Sequence, residues 1–302
     1  MGLKVVGIAG KRLSLSNLEK DLYPSYGFTK AHILEYYSRI AKFILPHLKD
    51  RALTLKRYPD GVDEDFFFEK RCPAHHPGWV NTAEVRLDDR EKMTVCLVNN
   101  LETLIWIENL ASLELHVPLA RTVSPETPDS MVFDLDPGDG ANILDCARVA
   151  LILRQLLSEL RLASFVKASG RKGLHVYVPL NLKETTFEGT KTFSKAVADI
   201  MQQNYPDLVT AKMGKEYRKN RVFINWSQND SKKTMICVYS LRAREKPLVS
   251  FPITWKELEN LAGLGDPEKL EVLHSEAVSR AEKNGDLFSE VLTKKQRLPY
   301  LK

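Results

Sequence analysis

An α+β fold is what this sequence predicts, and three observations carry the prediction. Apolar residues recur at helical spacing in several long segments, as Ile33, Tyr37, Ile40 and Ile44 do. Shorter apolar runs bounded by turn residues read as strands, the clearest being Met131-Val132-Phe133-Asp134-Leu135-Asp136-Pro137. Helices and strands are mixed without the strict alternation that builds a parallel sheet, so an antiparallel or mixed sheet flanked by helices is expected. The 302 residues, 43% of them apolar, suffice to bury a substantial core in one large domain or two.

In chain order, a helix is expected over 29–48, opened by Thr29 as N-cap. Strands follow around 52–58, 66–70 and 93–98, with a polar hairpin at Arg86-Leu87-Asp88-Asp89-Arg90. A helix is assigned to 99–113, with Leu113-Glu114-Leu115-His116 at its end. The centre reads strand 131–136, helix 142–161, strands 165–169 and 174–178, and helix 187–204. Strands 221–226 and 234–240 and helices across 254–292 complete the chain. On its short strand, Phe66-Phe67-Phe68 should alternate, burying either Phe67 or its two neighbours.

Composition excludes the disordered, fibrous and membrane-spanning classes. The N-terminus lacks the apolar region of a secretory signal, and Val6 stands where a myristoylation motif needs Ser or Thr. A cytoplasmic, nucleoid-associated location is expected. Cys72, Cys96, Cys146 and Cys237 are scattered without paired spacing, so free buried thiols are the expectation, with little to complete a zinc site around Cys72, His75 and His76.

Asp134 and Asp136 are the most informative residues. At positions i and i+2 of a strand, their carboxylates project from one face, and Pro137 places them at its rim. Two hard oxygen ligands there suit Mg²⁺ or Mn²⁺, and hence a triphosphate. A second segment, Phe165 to Pro179, reads strand, basic turn, strand. Gly170 and Gly173 permit close backbone approach, while Ser169, Lys172 and His175 add a hydroxyl, an ammonium and an imidazole around the turn. A glycosyltransferase with an Asp-x-Asp site would explain the first segment but not the second. The second lacks the spacing of a P-loop.

Together with Val222-Phe223-Ile224-Asn225-Trp226-Ser227-Gln228-Asn229 and Tyr239-Ser240-Leu241-Arg242-Ala243-Arg244, these segments resemble the polymerase domain of bacterial ligase D and its stand-alone archaeal relatives. That group belongs to the archaeo-eukaryotic primase superfamily and serves non-homologous end joining. The resemblance runs from about Leu13 to about Trp255 and keeps the family's motif order. It implies a primase-like core over about 126–302, with about 1–125 packed on it in one compact unit.

The resemblance also implies a ribonucleotide-preferring polymerase that fills gaps at broken ends, using two Mn²⁺ or Mg²⁺ ions and nucleoside triphosphates. Asp134 and Asp136 would ligate the ions, with Asn225 standing where the family has a third aspartate. That amide removes one negative charge, so weakened catalysis is expected, or a DNA-end binding and bridging module with catalysis disabled. Lys56, His116, Ser169, Lys172, His175, Arg242 and Arg244 would hold the nucleotide. Asn17, Lys20 and Lys30 would take the 5′-phosphate of a gapped DNA, and Phe67 or Phe68 would stack on a template base. The hairpin at 86–90 would bridge two ends, and a separate ligase and a Ku-like protein would be partners.

Net charge is only +5, but Lys212, Lys215, Arg218, Lys219 and Arg221 crowd the segment before Asn225 with one acid, Glu216. A loop that tracks phosphates, with Arg218 at its centre, is the expected role. Arg242 and Arg244, two apart on one strand, should point the same way.

Overall fold

The computed structural model describes residues 3–86 and 91–299. Strands β1 (Lys4–Ile8) and β2 (Lys11–Leu15) form an exposed N-terminal hairpin, and β3 (Asp21–Tyr23) pairs with β4 (Phe28–Thr29). Helix α1 (Lys30–Leu48) starts at Thr29, as expected, with the Thr29 amide bonded to His32 Nδ1 at 3.0 Å. Its Ile33, Tyr37, Ile40 and Ile44 are fully buried.

Next come β5 (Thr54–Arg57), β6 (Phe67–Glu69), β7 (Thr82–Arg86) and β8 (Lys92–Cys96). β7 and β8 pair antiparallel, and the turn between them, expected as the hairpin at Arg86–Arg90, falls outside the described residues beyond Arg86. Cys72 and Cys96 form a disulfide, which corrects the expectation of four free thiols; Cys146 and Cys237 are free and buried. The Cys72 amide bonds to the Thr94 carbonyl at 2.8 Å, and this long-range pairing, invisible in the spacing, brings the two cysteines together. Cys72 is therefore not available as a zinc thiolate.

Helix α2 (Leu101–Asn109) is shorter than the predicted 99–113, because β9 (Ser112–Val117) occupies the segment assigned to its end. Ala111, at φ 60°, breaks the helix, and β9 fits between β5 and β15 as a buried strand. The remaining elements are β10 (Ser130–Pro137), α3 (Ile143–Glu159), β11 (Phe165–Ala168), β12 (Leu174–Pro179), α4 (Phe187–Asn204), β13 (Val209–Thr210) and β14 (Val222–Asn225). After them lie β15 (Met235–Ile236), β16 (Leu241–Arg242), β17 (Leu248–Val249), β18 (Pro252–Ile253), α5 (Trp255–Leu264) and α6 (His274–Asn284). The strand predicted over 234–240 is reduced to β15, because the chain turns away through Tyr239, at φ 66°.

Two sheets position the site. The six-stranded sheet runs β13-β14-β10-β12-β11-β18 and is antiparallel except for β13 with β14. The four-stranded sheet runs β15-β9-β5-β6 and ends on the short edge strand β6. Met131, Phe133 and Leu135 of β10 and Leu174, Val176 and Val178 of β12 are fully buried, which explains their near-continuous apolar runs. No helix among the described residues is long and apolar enough to cross a membrane.

Candidate nucleotidyltransferase site

The register of the six-stranded sheet builds the site. Asp134 lies directly opposite Asn225 on β14 and His175 on β12, and His175 lies opposite Lys167 on β11. Residues paired in register share a face, so Lys167, His175, Asp134 and Asn225 form one row across four strands. Asp136 sits two residues along the same face, opposite Phe223.

Asp134 is buried and well partnered. Asn225 Nδ2 and Gln228 Nε2 donate to its Oδ2 at 3.2 and 3.3 Å, and His175 Nε2 lies 3.3 Å from Oδ1. Burial works against its ionisation, but the hydrogen bond and charge of His175, with Gln228 and Asn225, outweigh that and hold the carboxyl below its usual range. His175 is itself pushed down to about 4, by burial first and then by the Lys167 ammonium. Asp136 is different. It makes no hydrogen bond among the described residues, and burial together with the charge of Asp134 raises its carboxyl above the usual range. A half-buried carboxylate without a hydrogen-bond partner, next to an ionised one, has the donor chemistry that a divalent cation would take.

Asn225 fits that cation less well than an acid would. Its Nδ2 faces Asp134, and its Oδ1 accepts from Ser227 Oγ at 2.7 Å. Among the described residues no group of three or more His, Cys, Asp or Glu has a metal-holding arrangement. The donor set is thus two carboxylates, with the amide oxygen as a third ligand only if it exchanges Ser227 for the ion.

The basic turn lies beside this row, but its parts behave differently from expectation. Ser169 Oγ accepts the Arg171 and Gly173 amides, both at 3.2 Å, so these N–H groups stabilise the turn itself. The glycines are required by chain packing: a Cβ on Gly173 would lie 2.0 Å from the Leu135 carbonyl oxygen, and Gly170, at φ 68°, abuts Val249 and Arg242. Lys172 and Arg171 are exposed at the tip. Arg171 is close enough for its charge to bear on Asp136, Lys56 and Arg242.

The four-stranded sheet and β16 supply a second set of charged groups. His116 Nε2 lies 3.0 Å from Glu114 Oε2, and Arg242 Nη1 reaches the same oxygen at 3.4 Å. Burial alone would raise Glu114, but His116 and Arg242 hold it down at about 2. Lys56 lies 3.7 Å from the centre of the Phe66 ring. Arg244 does not pair with Arg242 as predicted. β16 ends at Arg242, and the Arg244 amide turns back to the Arg242 carbonyl at 3.0 Å, so the two do not share a strand face.

Phe66, Phe67 and Phe68 are all exposed, at 47%, 44% and 59%, so the predicted alternation of burial fails. β6 is an edge strand, and its aromatic rings meet only single side chains such as Lys56, Arg57 and His116 among the described residues, which leaves each ring largely open. Phe68 lies beside Phe66 and His116, whereas Phe67 stacks under Arg57 on the other face, at 5.0 Å.

Asn17, Lys20 and Lys30 do come together. The Lys20 amide bonds to the Asn17 carbonyl and the Lys30 amide to the Lys20 carbonyl, at 3.0 and 2.9 Å. The Lys30 ammonium is lowered to about 8 by burial and by the nearby charges of Arg57 and Lys20. Lys20 also pairs with Asp60. Arg218 is folded against the catalytic face, stacked on Phe223 at 3.9 Å, with its charge acting on Asp136.

Sequence reading missed Gln228, Glu114, Arg171, Arg57 and Lys167. Only Lys167 gave a signal, since it lies two residues before Ser169 and so on the same side of an extended segment.

A paired-carboxylate strand rim on which the charges of Arg171 and Arg218 act, beside the Ser169–Gly173 turn, defines a nucleotidyltransferase of the primase-polymerase type. The model of the LigD primase-polymerase domain family matches residues 29–288, and the chain belongs to that family. It is 38% identical over 289 residues to the multifunctional non-homologous end joining protein LigD of Mycobacterium bovis, covering 93% of this chain and 37% of that protein. The bifunctional LigD of Bacillus subtilis is 31% identical over 249 residues, 82% of this chain and 40% of that protein. The chain thus spans well under half the length of these relatives. Among solved structures, the polymerase domain of Mycobacterium tuberculosis Ligase D in complex with DNA superposes with a TM-score of 0.87 at 38% identity, over 94% of this chain and 99% of that one.

Proposed function

We propose that this chain is a template-directed nucleotidyltransferase that extends 3′-ends at gaps and broken DNA ends in non-homologous end joining, taking ribonucleotides by preference. The observation that carries this reading is the strand rim where Asp134 and an unpartnered Asp136 share a face beside the Ser169–Gly173 turn. Asp134 and Asp136 would hold two Mn²⁺ or Mg²⁺ ions, which neutralise the triphosphate and lower the pKa of the attacking hydroxyl.

Around them, Lys172, Arg171 and Arg242 bring positive charge to the phosphates, Lys56 adds a further ammonium, and Ser169 shapes the turn that aims them. His116, His175 and Arg244 complete the nucleotide's surroundings. His175 keeps Asp134 oriented by its hydrogen bond. Phe68, and Phe67 behind it, offer faces for a template base, and Arg218 faces the backbone phosphates. Lys30, Lys20 and Asn17, with Arg57, form a crowded cationic corner suited to a 5′-phosphate. Residues 1–125 and 126–302 act as one unit in this reading. Because polymerisation leaves a nick, a separate ligase and a Ku-like end-binding protein are the partners it calls for.

A second reading, a DNA-end binding and bridging module with disabled catalysis, is favoured by one observation: Asn225 turns its N–H, not its oxygen, toward Asp134. Primer extension with Mn²⁺ and ribonucleotides, beside a gel shift on 5′-phosphorylated gapped DNA, separates the two. Extension that rises at least about 100-fold in Asn225→Asp supports the polymerase with a weakened metal site. Binding with no extension in either form supports the module. Loss of both would defeat the reading.

A further inference from the structure

Lys167 is the least expected residue in the molecule. It is 0% exposed in the middle of β11, and no carboxylate forms an ion pair with it among the described residues. A fully buried lysine costs desolvation that a methionine of similar length would not. Its Nζ donates instead to the Ile236 carbonyl at 3.1 Å and to Ser250 Oγ at 2.5 Å. Burial pushes the ammonium down to about 7, with the charge of Asp134 among the groups drawing it back up.

Those two acceptors belong to different parts of the site. Ile236 is on β15, opposite His116 in the four-stranded sheet. Ser250 accepts the Tyr239 amide at 2.7 Å and donates its own amide to Ser240 at 2.9 Å, so it fixes the backbone that leads into Arg242. Lys167 itself stands in the row that carries His175 and Asp134. One ammonium therefore joins the sheet bearing the carboxylates to the sheet and the segment bearing His116 and Arg242.

We propose that Lys167 is a positioning residue for the nucleotide, a pin that holds the His116 and Arg242 side of the site at a fixed distance from the Asp134 and His175 side. This rests on the polymerase reading given above. The corner formed by Asn17, Lys20 and Lys30 lies at the start of α1, and neither acceptor of Lys167 belongs to it.

The test uses calorimetry of UTP in the presence of MnCl₂, gel shift on 5′-phosphorylated gapped DNA, and amide hydrogen exchange. Lys167→Met, which fills the volume without N–H groups, should weaken UTP by about tenfold or more while the DNA affinity stays within about twofold. Ser250→Ala, a milder change that keeps the lysine, should weaken UTP by a smaller factor in the same direction. Both variants should lose exchange protection at Cys237 and Leu241. Unchanged UTP affinity in both variants overturns the proposal, as does an equal fall in UTP and DNA binding. Should Lys167→Met not fold, Ser250→Ala decides on the same criteria. If the parent chain takes up no UTP, the polymerase reading fails instead, and unchanged exchange at Cys237 and Leu241 then rejects the pin as well.

Discussion

The six-stranded and the four-stranded sheet are built on opposite terms. In the six-stranded sheet, Asp134, His175 and Lys167 are buried on interior strands, Asp134 and His175 held by each other and Lys167 by Ile236 and Ser250. In the four-stranded sheet, the exposed aromatic groups lie at one edge, Phe67 and Phe68 on β6 and Phe66 just before it. The difference teaches that this site separates rigid chemistry from adaptable recognition. On the proposed function, interior strands would hold the carboxylates in place for metal ions, while an edge strand would leave aromatic faces open for bases of any sequence.

The contrast is easiest to break at its rigid end. Asp134→Ala should reduce Mn²⁺-dependent UTP binding by at least about 100-fold, since it removes a buried carboxylate proposed to hold the ions and leaves Asn225, Gln228 and His175 without their acceptor; calorimetry decides. At the open edge, Phe68→Ala should cost about 1–3 kcal/mol in binding to DNA with a single-stranded template, and leave UTP binding without DNA unchanged. Fluorescence anisotropy with a 5′-overhang substrate measures the first arm and calorimetry of UTP the second, and a loss of free UTP binding would show that the aromatics belong to the rigid half.

A further variant sharpens the comparison inside the core. Glu108 of α2 is fully buried, and neither carboxylate oxygen has a hydrogen-bond partner. Burial raises its carboxyl well above the usual range. The folded protein therefore keeps the proton where the unfolded chain has lost it. The stability this gives is complete below the unfolded pKa and falls by about 1.4 kcal/mol per pH unit above it, until the folded group ionises. Denaturant unfolding of Glu108→Gln should show an advantage over the parent that grows from pH 5 to pH 7. A constant difference would mean that Glu108 is not held neutral. Smallest in effect, Arg218→Glu should flatten the salt dependence of binding to DNA ends by about one unit of slope, read from titrations at several salt concentrations.

Much of the rigid half was legible in the chain. A period of two and a proline stop placed Asp134 and Asp136 on one face, and helical spacing gave α1, α3 and α4 nearly to the residue. The open half was not. An apolar run ending in Leu113-Glu114-Leu115-His116 continues a helix as readily as it forms a strand, and only the gap between β5 and β15 decided for β9. Alternation in Phe66-Phe67-Phe68 presumes a covered face, which an edge strand lacks. Ser169 and the glycines of its turn carried a phosphate-loop pattern, yet much of their capacity goes to holding the turn and the neighbouring chains together.

By itself the sequence determined which chemistry is possible, because carboxylate spacing, the basic turn and Asn225 are local facts that no packing can alter. Tertiary structure alone decided who meets whom: Lys167 with Ile236 and Ser250, Arg242 with Glu114, and Cys72 with Cys96. Those pairings depend on strand order and register, which join residues far apart in the chain and leave no periodicity for a sequence to display.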